Sequence, residues 1–393
     1  MQVERIELTG FRNYGNLDIG VYPGVNVFYG DNAQGKTNIL ESIYMCACAR
    51  SHRTSRDIDI IRHEDDFYSI KLTFTKQTGT EEIVVGYQEA DPRNPDRVRA
   101  QRTVMHNGMR LTRVADMMGL FHAVIFAPED LGLVKEGPSA RRRFLDLLLS
   151  QVRPAYFNDL QTYSRLLGQR NALLKRIRDT RADAREDAEL SVWDDAMALS
   201  GARLIHARME VATRVAAIAT REHARISSDA ESLLVRYRTV SGIREGDGLR
   251  DIAVRFRDRL QQTAADDAEK GMTVAGPHRD DLELGLDGEG LRPFASQGQQ
   301  RSAVLALKLA ELQVLEEETG EAPVLLLDDV MSELDARRRN ALVEGMGAAQ
   351  VFVTCTDAAH VGGDMQELAA RRRGMHYFRV ERGRVAEDAT GLL

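Results

Sequence analysis

Gly30-Asp31-Asn32-Ala33-Gln34-Gly35-Lys36-Thr37 has the spacing G-x-x-x-x-G-K-T. A strand pattern, Val25-Asn-Val-Phe-Tyr29, precedes it, and an apolar helical stretch through Ala49 follows Lys36, so the loop joins a strand to a helix. Glycines let such a loop curl until its N–H groups point at phosphate oxygens. Lysine reaches the β- and γ-phosphates, and the threonine hydroxyl ligates Mg²⁺. A plain glycine turn needs neither the lysine nor this order of strand, loop and helix. The chemistry indicated is the binding of a nucleotide polyphosphate.

A phosphate loop of this kind needs an acidic partner on a neighbouring strand. Val324-Leu-Leu-Leu-Asp328-Asp329 supplies one: four apolar residues read as a strand buried on both faces, with carboxylates at its C-terminal end. Asp328 is expected to hold Mg²⁺ together with Thr37, and Asp329 to orient or deprotonate an attacking water. A third element starts at Phe294-Ala-Ser296-Gln297-Gly298-Gln299-Gln300-Arg301-Ser302, ahead of an apolar helix from Ala303 to Glu318. Ser296 with Gln299 fits an S-x-x-Q capping box, which leaves a positive helix end facing outward, where an anion sits well. Ser332-Glu-Leu-Asp335 follows the carboxylate strand.

About 290 residues separate Lys36 from Asp328, far more than compact kinases or GTPases require, so something large is inserted between them. The chain opens with strand patterns: Val3, Arg5 and Glu7 alternate with Glu4, Ile6 and Leu8. Tyr68–Phe74, Ile83–Tyr87 and Ala123–Phe126 continue the β-rich part, with a polar loop from Asp91 to Asp96. From Pro138 to about Asp229 the texture becomes helical, with apolar stripes at Leu145, Leu148, Leu149, Val152 and at Met197, Leu204, Ile205, Met209. A strand from Leu233 to Val240 and a helix from about Leu249 to Ala268 follow, and strand character returns at Thr273. The expected organisation is a mixed α/β head of P-loop ATPase type interrupted by a helical arm. Residues 1–137 form its first part, 138–270 the arm, and 271–393 its second part.

The 393 residues carry 43% hydrophobic and 29% charged side chains, which makes the chain soluble with a large core. The longest apolar stretch, Met117 to Ala127, is broken by His122 and is far shorter than a membrane span. The N-terminus carries Glu4, Arg5 and Glu7 where a signal peptide needs an apolar run. Three cysteines make no disulfide framework, so a cytoplasmic protein is expected. Cys46 and Cys48, on one helix, point roughly 200° apart and read as core thiols. With 53 basic and 60 acidic residues the chain is not a globally basic nucleic-acid binder, and any DNA contact must use a local patch. Arginines outnumber lysines 46 to 7, a skew that a GC-rich genome produces, so each arginine cluster is discounted.

The ordered set of phosphate loop, signature helix, carboxylate strand and S-x-L-D turn resembles the ABC-type ATPase heads of the SMC and double-strand-break repair proteins. Finer matches are Leu8-Thr-Gly-Phe11-Arg12-Asn13-Tyr14, the phosphate loop continued by Asn38, Ser51-His52-Arg53-Thr54 and Phe126-Ala-Pro128-Glu129-Asp130-Leu131. Gly137-Pro138 with Arg141-Arg142-Arg143-Phe144-Leu145-Asp146 and Gly276-Pro277-His278-Arg279-Asp280-Asp281-Leu282 complete them. Together they resemble the RecF family of bacterial recombination mediators.

The resemblance implies an ABC/SMC-type head with an inserted arm, and ATP with Mg²⁺ as ligands. Gly30 to Asn38 and Arg12 would contact ATP, and Lys36, Asp328 and Asp329 would serve hydrolysis. It implies an ATP-dependent homodimer in which Ser296, Gln297, Gly298 and Gln299 of one chain meet the γ-phosphate held by the other. Glu129 and Asp335 would be switches, and Thr354, Thr356 and Asp357 a second sensor. Transporter-type heads carry Glu where Asp329 stands, one methylene shorter, so slow, switch-like hydrolysis is expected. Double-stranded and gapped DNA, RecR and RecO are the implied partners, in recombinational repair, replication-fork maintenance and loading of recombinase onto protein-coated single strands.

Two arginine clusters are candidates for DNA phosphates: Arg93 to Arg113, including Arg97, Arg99 and Arg102, and Arg165 to Arg185, including Arg170 and Lys175. Arg371 to Arg373 is a third cluster. Competing readings are an SMC-like tether, for which the arm is too short, a small-molecule kinase, which has no use for the signature helix, and a transporter subunit, which has none for the arm.

Overall fold

Two apolar patterns produce two kinds of sheet in the computed structural model, which describes residues 1–90, 99–180, 184, 187–358 and 374–388. In chain order, the strands β1 (Gln2–Phe11), β2 (Tyr14–Gly20) and β3 (Val25–Tyr29) precede helix α1 (Lys36–Cys48). Strands β4 (Phe67–Lys76), β5 (Gly79–Gln88), β6 (Gln101–His106), β7 (Met109–Arg110) and β8 (Ala123–Phe126) follow. Then come α2 (Gly132–Lys135), α3 (Pro138–Val152), α4 (Pro154–Thr180), α5 (Ala188–Ser227), β9 (Leu233–Arg238), α6 (Leu249–Gln262) and α7 (Ala264–Lys270). After these come β10 (Asp281–Leu286), β11 (Glu289–Gly290), α8 (Leu291–Phe294) and α9 (Gln297–Thr319). The chain continues with β12 (Val324–Asp328), α10 (Val330–Glu333), α11 (Ala336–Gly345), β13 (Val351–Cys355), β14 (Met375–Glu381) and β15 (Arg384–Asp388).

The chain divides into two compact units, one of residues 1–131 with 304–393 and one of residues 132–303. The segment 271–303, grouped with the head on sequence, clusters with the helical residues. In the first unit, a six-stranded sheet of order β15-β14-β3-β13-β12-β8 has the mostly apolar strands β3, β13, β12 and β8 at its core and on one side, and β14, β3, β13, β12 and β8 run parallel. Its strands β8, β12 and β13 are buried throughout, as a parallel sheet covered on both faces requires. Alternating runs make the second sheet, β2-β1-β4-β5-β6-β7, antiparallel with one face inward. Helix α1 contacts strands of both sheets, which is why KTNILESIYMCAC is apolar nearly all round and buried from Ile39 to Cys48.

One register detail departs from the simple alternation. Val3, Ile6 and Leu8 are all fully buried although Val3 has the opposite parity, and a shift in pairing between Val3 and Arg5 reconciles them.

In the second unit, α3, α4, α5, α6 and α7 pack on one another, and α5 also covers β9 of the three-stranded sheet β11-β10-β9. The helix expected to run from Leu249 to Ala268 is two helices broken at Thr263. No strand begins at Thr273; its N–H and hydroxyl both donate to Asn171 Oδ1 at 2.8 Å, and strand structure resumes at Asp281. The two RecF-like segments around Arg141 and Asp280 meet here. Arg141 grips Asp281 through Nε and Nη2 at 2.7 and 3.0 Å, and Arg142 donates to the Asp280 carbonyl at 2.7 Å. Among the described residues no helix is long and apolar enough to cross a membrane.

Candidate phosphate-loop site

The loop from Gly30 to Gly35 leaves the C-terminal end of β3 and enters α1. Gly30 (φ 145°) and Gly35 (φ 117°) adopt backbone open to glycine, and each is also closely approached. A Cβ on Gly30 would lie 2.3 Å from the Val380 carbonyl oxygen, and one on Gly35 would lie 2.6 Å from the Asn13 side chain. Ala33 is also left-handed, at φ 64°.

Lys36 is buried, and its ammonium donates to the carbonyls of Gly30 (2.7 Å) and Asp31 (2.8 Å), so the cation spans the mouth of the loop. Asn13 Nδ2 donates to the Gln34 carbonyl at 2.7 Å and the Tyr14 hydroxyl to the Gly35 carbonyl at 3.1 Å. From the other side, the turn between β14 and β15 contributes the Arg382 N–H to Gln34 Oε1 at 2.6 Å. Asn32 adds its carbonyl as acceptor for Gln34 Nε2 at 3.4 Å.

Thr37 and Asp328 are brought together across 291 residues: Thr37 Oγ1 donates to Asp328 Oδ1 at 2.7 Å. Thr354, on β13 between the loop strand and the carboxylate strand, donates to the same oxygen at 2.7 Å. Burial pushes the Asp328 carboxyl up from its ordinary value, and these two hydroxyl hydrogen bonds pull it back toward the ionised form. Asp329 takes a left-handed backbone (φ 52°), and its N–H donates to Thr354 Oγ1 at 2.9 Å, so one threonine holds both carboxylate residues. A strained residue directly beside a buried carboxylate is the kind of geometry that function maintains. Thr37 and Asp328 present two hard oxygen donors side by side, a set that suits Mg²⁺.

The remaining expected residues fall out differently. Arg12 commits its guanidinium to Glu41, through Nε (2.9 Å) and Nη2 (2.6 Å), and to the Asp59 carbonyl (2.8 Å). Asn38 donates to Asn13 Oδ1 at 2.8 Å and so supports the loop from behind. Glu129 is exposed in the turn after β8, whereas its neighbour Asp130 accepts the Ala127 N–H at 2.8 Å. Asp335 caps α11, accepting the Arg338 N–H at 2.9 Å.

In the second unit, the expected capping box is present. Gln299 N–H donates to Ser296 Oγ (3.2 Å), and Ser296 N–H donates to Gln299 Oε1 (2.7 Å). Gln297 begins α9 and Gly298 follows it in the first turn.

Of the DNA-contact candidates, Arg97 lies outside the described residues, as do Arg93 and Arg371 to Arg373. Arg99 is exposed, and Arg102 pairs with Asp57 at 3.4 Å. Lys175 is exposed on α4. Arg170 is not available for DNA: it is fully buried, with Nε on Asp194 (2.7 Å) and Nη1 on Asp267 (2.6 Å) and Thr273 (2.9 Å). It ties α4 to α5 and α7.

Sequence reasoning passed over Glu41. The available signal was the one carboxylate of KTNILESIYMCAC, set in a mostly apolar stretch.

A family model described as RecF/RecN/SMC N terminal domain matches residues 2–372. The DNA replication and repair protein RecF of Acetivibrio thermocellus is 39% identical over 388 residues, 98% of this chain and 99% of that one. The protein of the same name from Symbiobacterium thermophilum is 40% identical over 398 residues, covering 100% of both. A solved structure described as the recombination mediator protein RecF with ATP in the RecFOR pathway aligns with TM-score 0.87 at 33% identity, over 99% of this chain and 98% of that chain.

Proposed function

The chain belongs to the RecF family of DNA replication and repair proteins, within the wider RecF/RecN/SMC group, and from that premise we propose that it is an ATP-gated DNA clamp. The observation that carries this reading is the 2.7 Å hydrogen bond joining Thr37, at the end of the phosphate loop, to Asp328, at the end of the carboxylate strand. A related RecF structure described with ATP supports ATP as the ligand.

On binding, Lys36 exchanges the Gly30 and Asp31 carbonyls for β- and γ-phosphate oxygens. Backbone N–H groups of residues 31–37 cradle the phosphates, with Gly30 and Gly35 supplying the left-handed backbone. Thr37 and Asp328 would hold Mg²⁺, which when bound neutralises phosphate charge. Asp329, poised by the Thr354 hydroxyl, orients the attacking water. Its carboxyl is one methylene shorter than glutamate, so hydrolysis is slow and acts as a timer.

The capped start of α9 is the positive end of a long helix. In the proposed dimer, Ser296 and Gly298 of one protomer meet the γ-phosphate held by Lys36 of the other. ATP then joins two heads, and hydrolysis releases them. Such a clamp on duplex or gapped DNA would help load recombinase onto protein-coated single strands. RecR and RecO are the proposed partners, because the related structure is described in the RecFOR pathway.

Light scattering with ATP, with ADP and without nucleotide tests this reading. ATP should double the mass from about 44 kDa, and Ser296→Arg should abolish the doubling while leaving ATP binding intact. A chain that binds ATP and stays monomeric with and without DNA would defeat the composite-site mechanism.

A further inference from the structure

Helix α1 lies between two sheets and has no solvent face for a charge, yet Glu41 stands in its middle, fully buried. Its carboxylate accepts from Arg12 through Nε (2.9 Å) and Nη2 (2.6 Å) and from Ser51 Oγ (2.5 Å), and Arg53 Nη1 lies 3.6 Å away. Two cations and a hydroxyl explain why the charge is tolerated there. Where those partners lead points to more than tolerance.

Arg53 Nη1 donates to Asn38 Oδ1 (3.0 Å), Asn38 Nδ2 to Asn13 Oδ1 (2.8 Å), and Asn13 Nδ2 to the Gln34 carbonyl inside the phosphate loop (2.7 Å). Ser51 Oγ, while donating to Glu41, accepts the N–H groups of Arg53 (2.9 Å) and Thr54 (3.1 Å), which shapes the 51–54 turn. Arg12 sits at φ 56° directly before Asn13, a backbone setting that a non-glycine residue keeps only when its surroundings hold it. Glu41 therefore gathers two segments, the Arg12 turn and the 51–54 turn, and both lead to the side chain of Asn13.

We propose that Glu41 is a positioning residue of the nucleotide site: through Arg12, Arg53 and Asn38 it sets the Asn13 amide that holds the phosphate loop open. This rests on the nucleotide-binding reading above. Glu41 touches neither nucleotide nor metal, and its effect is on loop preorganisation and hence on affinity. Once nucleotide is bound, Lys36, Thr37 and Asp328 are unaffected, so the rate at saturation is preserved.

The test is titration of the full-length protein with a fluorescent N-methylanthraniloyl ATP, with melting temperature followed in parallel. Glu41→Gln, which keeps the shape and removes the charge, should weaken binding about tenfold and leave single-turnover hydrolysis at saturation within about twofold. A purely structural glutamate would lower the melting temperature without acting through Asn13. The decisive readout is therefore coupling: Asn13→Ala and Glu41→Gln together should bind no more weakly than Asn13→Ala alone. Should Glu41→Gln fail to fold, Arg53→Gln, at a half-exposed site on the same relay, takes its place in the cycle with the same expectation. Additive losses in affinity, or wild-type affinity in the folded variants, would overturn the proposal. Absence of binding by the wild-type protein would instead bring down the nucleotide reading, and this inference with it.

Discussion

At the scale of single residues, burial decides what a charged side chain does, and a sequence shows burial only indirectly. Arg170 and Lys175 belong to the same basic run on α4, yet one is fully enclosed by Asp194 and Asp267 and the other faces solvent. Removing one partner from a buried ion cluster leaves uncompensated charge, which costs about 3–5 kcal/mol. Arg170→Met should accordingly lower unfolding free energy by roughly that amount, read from urea midpoints, while the DNA affinity of the folded fraction stays unchanged. A variant as stable as the parent but unable to bind DNA would return Arg170 to the DNA surface. The phosphate-loop residues are legible because the loop's chemistry demands both residue type and spacing: Gly30, Gly35, Lys36 and Thr37 allow few substitutes. Glu41 is not, because a carboxylate inside an apolar helix acquires meaning only when Arg12, Ser51 and Arg53 are seen around it.

At the scale of elements, the strands and helices with strong periodicity stand where their patterns put them. Those governed by a distant partner do not. The short β-branched and aromatic runs predict β3 at Val25–Tyr29 and β8 at Ala123–Phe126, the ranges observed, and both strands lie in the buried parallel sheet. Thr273 reads locally as strand, but its donors are taken by Asn171, a partner 102 residues away that no local pattern encodes. The segment that follows carries a pH signature. Burial pushes Asp280 up to about 6, and burial with nearby arginines pushes His278 down to about 4. The Tyr163 hydroxyl and the Thr273 carbonyl flank the imidazole at 2.7 and 3.0 Å, which suits its neutral form. Between about pH 4 and 6 the folded state keeps a proton on Asp280 that the unfolded chain has released, so this group makes stability fall as pH rises. His278 acts oppositely from about pH 4 to 6.5, because the unfolded imidazole binds a proton that the folded one does not, and the two slopes largely cancel. Asp280→Asn removes the falling limb. Relative to the parent, its stability should therefore climb with pH by up to about 1.4 kcal/mol per unit between pH 4 and 6, measured by urea unfolding across that range. Parallel profiles would show that Asp280 is ionised throughout.

At the scale of the whole molecule, the ABC/SMC-type α/β head and the RecF family membership are readable because several short motifs recur in one order along the full chain. Where the proposed DNA contact lies is not, since arginine abundance blurs every local cluster. Charge divided by structural unit sharpens the choice. Residues 132–303 carry 28 basic and 26 acidic side chains, while the rest of the chain carries 25 and 34, so the unit holding the helical arm is net positive in an acidic protein. On α4, Arg165, Lys175, Arg176 and Arg178 are exposed, unlike buried Arg170, and Arg176 and Arg178 are already paired with Glu189 and Asp179. Arg165 and Lys175 are thus the cations that this face offers to a phosphate backbone. Arg165→Glu with Lys175→Glu should weaken binding to gapped duplex at least tenfold at 0.1 M salt. It should also flatten the dependence of log affinity on log salt by about two units, one for each phosphate that is no longer neutralised. ATP-driven doubling of mass in the absence of DNA should persist in this variant, which separates the arm's contribution from that of the heads. Fluorescence anisotropy across a salt series measures both quantities. An unchanged slope would move the DNA off α4 and onto the segment before β6 that holds exposed Arg99, where charge reversal at Arg99 alone should then reproduce the weakening.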